Sequence, residues 1–481
     1  MASELAARNG GWIGLGALVA ILLLGLGLRV GEAWDGRAPV YDAQAYAAIA
    51  ANLDEGNGFT VGAQATQPSS NYSPGLPLLV AGMYAVTGGV HERLARVVLA
   101  VVGALSVLFA YLIGRRLIRP PHRPGSSEVG ATAGSQRSLN KHGYRRINSA
   151  SVWPALVGAL VVAVYPALLE YQGMLMSEPL AAALLSGGVL AVLWVWEGGW
   201  VRWLLPGALF GALALVRPEY LGVAVLVAVV VFAREAKGDW RQSLLRAAVF
   251  LGALVVIIAP WTIRNGVALD RFVPISTGGG QVLFAGTYLP SDGDPEKVGA
   301  EVVAENPQLF APNAAQELRL EQILARLAHA RDPEMETDKA LSKMGKEQLW
   351  DDISEEPLEY AGFVATKVGR IWSHGPRDVM REPGWEILHW ALVALGLLGL
   401  AILAWQRRWE ALLFTTIFLA ITAISALLVA SPRRVLVLVP LLAALASVAM
   451  AWIATRVVSS AAYSRPNSPV APERPSSLSR P

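Results

Sequence analysis

Long runs of uncharged, mostly apolar residues recur along this chain and are separated by short polar segments. A run of about 20 such residues, folded as an α-helix, crosses about 30 Å of hydrocarbon. Two shorter runs, 203–216 and 220–233, flank Arg217-Pro218-Glu219 and predict a hairpin, for about ten spans in all. The eight longer predicted spans are 11–28, 97–114, 152–169, 179–196, 247–263, 387–406, 411–432 and 435–455.

One further apolar segment and the first run each need a separate interpretation. The run 75–88 is too short to cross a bilayer and predicts a re-entrant or interfacial helix. The first run follows a weakly basic start with Arg8, and no small-residue cleavage site precedes Gly31. It therefore predicts an uncleaved signal anchor.

The distribution of charge indicates which side of the membrane each polar segment occupies. Between Arg115 and Arg146 there are eight Arg/Lys residues and one acid, which predicts a cytoplasmic loop. Residues 265–384 hold twenty acids and twelve bases, which predicts an extracytoplasmic insert. Both termini are then cytoplasmic, and the fold class is an all-α polytopic membrane protein.

These features divide the chain into four parts. Residues 1–263 form a transmembrane module with a first extracytoplasmic loop at 31–92 and the basic cytoplasmic loop at 115–150. An extracytoplasmic domain at 264–385, the last spans at 386–457 and a Ser/Pro-rich disordered tail at 458–481 follow. The insert predicts helices at 314–330 and 334–350 but strands and turns at 272–287, hence a small α/β or mixed domain.

Composition excludes several kinds of chemistry. With 54% apolar and 16% charged residues, the chain is too hydrophobic for an ordinary soluble protein of 481 residues. It has no cysteine, so disulfides and thiolate sites are absent, and its six histidines lack metal-ligand spacing. No metal ligand is predicted, although the sequence leaves a divalent-cation requirement open. Neither a phosphate-binding loop nor a nucleophile elbow is present, and nothing indicates nucleic-acid binding.

Ionisable residues concentrate at the predicted outer ends of the spans. Because such groups are costly at membrane depth unless they face a cavity or a partner, this clustering predicts a site that opens outward. Arginines beside carboxylates suit an anionic, phosphate-bearing substrate. The group comprises Asp35, Asp42, Arg93, Arg96, Glu170, Glu178, Arg217, Glu219, Arg264, Arg433 and Arg434.

Each candidate also has a structural interpretation. Asp42 precedes an alanine-rich helix and could be its N-cap, and Tyr46, one turn later, could be an interfacial anchor. Glu178 begins a span, where acids favour the helix dipole. Arg217 and Glu219 could neutralise each other. These alternatives stay open beside the catalytic ones.

The order of motifs resembles the polytopic GT-C glycosyltransferases, in particular the protein O-mannosyltransferase and lipid A aminoarabinose transferase group (glycosyltransferase family 39-like). The motifs that carry this resemblance span nearly all the transmembrane part. They are Asp42-x-x-x-Tyr46, Gly56-x-Gly58-Phe59, Ser73-Pro74-Gly75-Leu76-Pro77-Leu78, Tyr165-Pro166, Ser177-Glu178-Pro179, Arg217-Pro218-Glu219, Pro260-Trp261-x-x-Arg264-Asn265, and Arg434 ahead of Leu438-Val439-Pro440.

The resemblance implies a mechanism and a set of site residues. Asp42 would be the general base, and a second carboxylate role would fall to Glu178, because Ala43 replaces the acid often found there. The lipid phosphate would be held by arginines, although the basic residue often found near the re-entrant segment is missing from 68–77. The implied substrate-binding residues are Tyr46, Arg217, Glu219, Arg264, Asn265, Arg433 and Arg434.

The leading functional hypothesis is a glycosyltransferase of a bacterial inner membrane, hexosyl or pentosyl, with its site outside the cytoplasm. Its partners would be a polyprenyl-phosphate sugar donor, membrane lipids, and a protein, polysaccharide or lipid acceptor. A flippase or transporter of lipid-linked saccharides is the alternative, although no broken helices or inverted repeats favour it. A non-catalytic envelope scaffold is a third, which leaves the outward charge cluster unexplained.

Overall fold

The structure is a computed structural model that describes residues 2–36, 42–62, 67–118, 152–196, 198–294, 296–373, 375 and 377–463. Most of the predicted cytoplasmic loop 115–150 and most of the predicted tail 458–481 lie outside these residues. The described chain is helical. Its helices are α1 (Ala2–Asp35), α2 (Asp42–Asp54), α3 (Gly75–Thr87), α4 (Glu92–Ile118), α5 (Val152–Val164), α6 (Pro166–Gln172), α7 (Glu178–Val195), α8 (Leu204–Val216), α9 (Tyr220–Leu269), α10 (Gly279–Thr287), α11 (Val298–Glu305), α12 (Ala314–Glu317), α13 (Leu320–Arg331), α14 (Thr337–Glu355), α15 (Pro357–Ser373), α16 (Pro383–Trp405), α17 (Trp409–Leu427), α18 (Arg433–Leu436) and α19 (Val439–Tyr463), with 3₁₀ turns at Trp200–Trp203, Leu289–Ser291 and Asp378–Arg381.

The membrane-spanning helices follow the predicted pattern. Within the described residues, seven helices are long and apolar enough to cross a membrane, and the bent pair of α5 and α6 makes an eighth. These eight coincide with the eight long predicted runs. The predicted hairpin and re-entrant segment are three shorter apolar helices, Trp200–Val216, Tyr220–Arg234 and Gly75–Thr87. The chain is therefore a multi-pass membrane protein.

Two breaks in these helices have local causes. The helix of the third span bends by 45° between α5 and α6, where Pro166 supplies no backbone N–H to continue the first helix. In α9 the backbone of Asp239 is non-helical, and its carboxylate accepts a hydrogen bond from the amide of Gln242 at 3.1 Å. Asp239 thus caps the residues that follow it, and α9 divides near this point into two apolar segments, Tyr220–Arg234 and Gly238–Leu269.

The spans differ in how deeply they are buried. The apolar part of α7 is 89% buried inside the protein, whereas the apolar parts of α1 and of Gly238–Leu269 are only 22% and 28% buried. Helix α7 is thus the centre of the bundle, and the other two present most of their surface outward, as expected for contact with lipid. Glu178, the first residue of α7, is accordingly placed at one end of the most enclosed helix.

The insert is helical, which corrects the prediction of an α/β or mixed domain. No strand occurs in the described residues of 264–385, and the segment predicted as strand and turn contains α10. Gly278, at φ 94°, sits immediately before this helix, so the glycines initiate a helix where a turn between strands was expected. Phe284 and Tyr288, one turn apart, bury their rings in the core of the insert.

The insert is attached by hydrogen bonds to the described part of 31–92, the segment predicted as the first extracytoplasmic loop. The amide of Thr277 donates to the carbonyl of Ser70 at 2.7 Å, and its hydroxyl donates to Asn71 Oδ1 at 2.8 Å. Tyr72 reaches Glu321 at 3.4 Å. Loop 67–74 therefore lies between α3 and the insert, on the same side of the bundle as the start of α2.

Candidate functional site

Six of the predicted site residues lie at one end of the helix bundle. Asp42 is the first residue of α2, and Glu178 is the first residue of α7. The break between α8 and α9, which Pro218 enforces, carries Arg217 and Glu219. A turn after α17 leads to the short helix α18, which carries Arg433 and Arg434.

These six side chains form a continuous series of ion pairs. Arg433 donates from Nη1 to Asp42 Oδ2 at 3.0 Å and from Nε to Glu178 Oε1 at 2.5 Å. Arg217 donates from Nη1 to the same Glu178 oxygen at 3.3 Å and from Nε to Glu219 Oε1 at 2.9 Å. Arg434 Nε closes the series at 3.8 Å from that Glu219 oxygen. Positive and negative groups alternate from Asp42 inward.

Exposure is greatest at the Asp42 end of the series. The side chains of Asp42 and Arg433 are 39% and 30% exposed, whereas that of Glu178 is fully buried. A buried carboxylate without partners would cost several kcal/mol, and two guanidinium groups offset that cost here. Burial opposes the charge on Arg433, but Glu178 and Asp42 outweigh it and raise its pKa above the usual value. Arg433 is therefore charged, the outer pair is accessible to solvent, and the buried Glu178 holds this pair in place.

Tyr46 lies beside this series, one turn after Asp42 on α2. Its ring is buried and meets the ring of Tyr72 edge to face, with centroids 5.7 Å apart. Burial, and then the negative charge of Asp42, raise the pKa of the Tyr46 phenol. The hydroxyl therefore stays protonated next to the carboxylates.

Arg264 and Asn265 lie elsewhere and bind backbone. Arg264 donates to the carbonyls of Ser69 at 2.9 Å and Phe59 at 3.3 Å. Asn265 donates to the carbonyls of Val273 and Ile275, each at 3.1 Å. The structure gives these two residues contacts that hold the first loop and the start of the insert against α9. It does not bring them into the ion-pair series.

The structure adds two residues that sequence reasoning did not select. The ring of Tyr171 lies between two guanidinium groups, with its centroid 5.7 Å from Arg433 Cζ and 5.8 Å from Arg377 Cζ. Arg377 also pairs with Glu170. The polar group at Glu170 was visible in the sequence, but Arg377 lies about 200 residues away, outside any motif, and only folding brings it to the site.

Comparison with known proteins identifies the fold. No protein-family model matches the chain, and no curated protein sequence matches it. The oligosaccharyltransferase AglB of Archaeoglobus fulgidus, in complex with an inhibitory peptide and a dolichol-phosphate, is similar with a TM-score of 0.53 and 16% identity, over 94% of this chain and 52% of that one. The oligosaccharyltransferase of the same archaeon in complex with Zn and sulfate gives 0.51 and 15%, over 93% and 50%.

The chain spans about half the length of these oligosaccharyltransferase chains. ArnT of Cupriavidus metallidurans bound to undecaprenyl phosphate aligns over 96% of this chain and 82% of that one at 14% identity, but its TM-score of 0.40 is too low to carry an argument. The likeness to these oligosaccharyltransferase structures shows that the chain shares their fold, the GT-C fold that the resemblance of the motifs implied.

The residues present do not fit a metal ion such as the zinc of that neighbour. Among the residues that the structure describes, no three His, Asp or Glu side chains are grouped so that they could hold one. Asp42 and Glu178 are instead bridged by the Arg433 guanidinium, whose charge repels a second cation at that point.

Proposed function

We propose that this protein transfers a sugar from a polyprenyl-phosphate donor to an acceptor hydroxyl, with inversion at the anomeric carbon and with Asp42 as the general base. The observation that carries this proposal is the partly exposed pair of Asp42 and Arg433, held in place by the buried carboxylate of Glu178. A proton acceptor and a phosphate-binding group thus lie in contact at the accessible end of the site.

The roles of the two residues follow from their chemistry. A guanidinium binds phosphate oxygens through paired N–H donors, and Arg433 commits only Nε and one Nη1 donor to the two carboxylates. Its remaining N–H groups can therefore hold the donor phosphate beside Asp42. Tyr46, Arg217, Glu219 and Arg434 maintain the charge balance and packing around that contact.

In the transfer step, the acceptor oxygen forms a bond to the anomeric carbon from the face opposite the phosphate. The acceptor proton passes to the Asp42 carboxylate, and the bond between the anomeric carbon and the phosphate oxygen breaks. Polyprenyl phosphate leaves with the electron pair, and Arg433 stabilises the charge that develops on it. The displacement inverts the configuration of the sugar.

The proposal also places the reaction on the extracytoplasmic side of a bacterial inner membrane. Support comes from the distribution of charge in the sequence, because all members of the ion-pair series lie at the end of the bundle that carries the acidic insert. The insert, next to loop 67–74, is positioned to contribute to the choice of acceptor.

The test is donor turnover by the purified protein in lipid nanodiscs. Polyprenyl-phosphate sugars, hexose and pentose, are supplied with hydroxyl acceptors, and release of free polyprenyl phosphate is measured. We expect Asp42→Asn to lower turnover by about 10²–10⁴-fold, the range for loss of a general base. Asp54→Asn is the matched control, because it makes the same change at the other end of α2.

Turnover by Asp42→Asn at the wild-type rate would remove Asp42 from the mechanism. Movement of intact donor across a sealed bilayer, without loss of sugar from any donor, would instead identify a transporter of lipid-linked saccharides.

A further inference from the structure

Lys367 is a fully buried cation at the junction between the insert and the membrane helices. Its Nζ donates to the carbonyl oxygen of Gly286, in the last turn of α10, and to that of Ala426, in the last turn of α17, each at 2.5 Å. Carbonyl groups at helix C-termini carry partial negative charge and suit a cation. One side chain of α15 therefore joins an insert helix to a membrane-spanning helix.

The residues around Lys367 leave room for its side chain and pack closely against it. Gly293, at φ 67°, has no Cβ, and a Cβ there would lie 2.5 Å from Lys367 Cγ. The ring of Phe363, one turn earlier on α15, lies 5.0 Å from the ammonium. The aliphatic stem is thus enclosed, and the amine reaches a fixed position.

The junction leads directly to the ion-pair series. After Ala426 the chain turns through 428–432 and continues into Arg433. Gly286 packs against this turn so closely that a Cβ on it would lie 2.3 Å from the carbonyl carbon of Leu428. Val429 packs against the core of the insert and accepts a hydrogen bond from Arg434. The insert and the arginine-bearing turn are therefore one packed unit.

We propose that Lys367 is a positioning residue, which holds the turn 428–432 against the insert so that Arg433 is aimed at Asp42 and Glu178. The inference rests on the proposed function of that site and adds a role for the insert. It makes the geometry of the site depend on a contact made inside the insert and not on the membrane helices alone.

The protonation of Lys367 provides a signature of this contact. Burial, and then the like charge of Arg434, the charged group that acts on it from the neighbouring elements, lower the pKa of Lys367 from 10.5 to about 8. In an opened junction Lys367 would be exposed to solvent and would have the ordinary pKa of 10.5. At a pH between about 8 and 10.5, opening of the junction is therefore coupled to the uptake of a proton by Lys367. The junction therefore opens less often as the pH rises from about 8 toward 10.5.

The first experiment compares Lys367→Met with wild type by amide hydrogen exchange and by donor turnover. Met keeps the length of the stem but leaves the two carbonyls without a donor. We expect faster exchange in 426–434, and a fall in kcat/KM of about 10²-fold, because misplacement of a binding group by about 1 Å has effects of that size. The matched control is Lys346→Met in the same insert, where the side chain is exposed.

The second variant approaches the junction from the other side. Gly286→Ala keeps the Lys367 side chain but pushes α10, and with it the Gly286 carbonyl that Lys367 binds, away from Leu428, and should produce the same changes in exchange and turnover. Gly369→Ala is its control, since a Cβ on that α15 residue meets nothing within 4 Å. Agreement between the two variants, each monodisperse after purification, separates positioning from general misfolding.

Corrected for intrinsic rates, protection of 426–434 should rise with pH above about 8 in wild type and lose this dependence in Lys367→Met. Unchanged exchange in both junction variants, or faster exchange with wild-type kcat/KM, would overturn the proposal. If wild type turns over no donor, the proposed function fails, and the exchange of residues 433–434 still decides whether Lys367 positions the turn.

Discussion

Replacing Arg433 by lysine tests whether the guanidinium must bridge two carboxylates and bind phosphate at once. In the structure, two different nitrogens of one planar group reach Glu178 and Asp42, at 2.5 Å and 3.0 Å. An ammonium is a single point charge on a flexible stem, and it cannot reproduce this fork while also binding a phosphate oxygen. Arg433→Lys therefore keeps the positive charge at this position but removes the forked arrangement of N–H donors.

The expected loss of activity follows from the contacts that a lysine at this position cannot make. The fold should survive, because the buried carboxylate of Glu178 keeps its contact with Arg217 at 3.3 Å. Loss of one oriented donor to a developing anion lowers turnover by about 10²–10³-fold, which corresponds to about 2.7–4 kcal/mol in the transition state. We expect kcat/KM for the lipid-linked donor to fall within that range, with kcat carrying most of the loss.

The assay measures release of polyprenyl phosphate at several donor concentrations, with wild type and variant reconstituted at equal amounts. Arg381→Lys serves as the control, because its side chain is 71% exposed and its contact with Asp378, at 3.6 Å, contributes little. A kcat/KM for Arg433→Lys within about threefold of wild type would refute the bridging argument, since a point charge would then suffice.

Two further predictions concern the placement of other residues. Arg264→Met should lower the free energy of unfolding of the solubilised protein by about 1–3 kcal/mol, because the Ser69 carbonyl loses its donor while the Phe59 carbonyl keeps the amide of Ser69. The donor KM of the folded fraction should stay at the wild-type value, and a raised KM at unchanged stability would make Arg264 a phosphate ligand. Because the chain has no cysteine, single introduced cysteines can report on which side of the membrane a residue lies. Glu55→Cys and Arg381→Cys should react with an impermeant maleimide on intact cells, whereas Gln406→Cys should react only after permeabilisation. The reverse pattern would place the site in the cytoplasm.

Much of the fold could be predicted from the sequence, because the helical structure of each membrane span is determined by the residues of that span. A backbone in hydrocarbon must satisfy its own hydrogen bonds, so a long uncharged run implies a helix wherever it occurs. The break at Pro218 was predicted as the tip of a hairpin, whereas 152–169 was predicted as one unbroken span and the bend before Pro166 corrects it. Both have a local cause, since proline lacks the N–H that continues a helix. The insert was harder: near Gly278 the glycines suit a turn or a helix start, and only burial of Phe284 and Tyr288 selects the helix.

The sequence by itself placed arginines and carboxylates at the ends of apolar runs, and the resemblance of its motifs selected Asp42 and Glu178 among them. Only the tertiary structure decided which groups meet. Arg433 and Arg264 have the same side chain and similar positions at span ends, yet one joins two carboxylates, 391 and 255 positions away, and the other binds backbone. The reason is physical: an ion pair depends on distances between helix ends, and those distances arise from helix packing, which no local pattern of residues encodes.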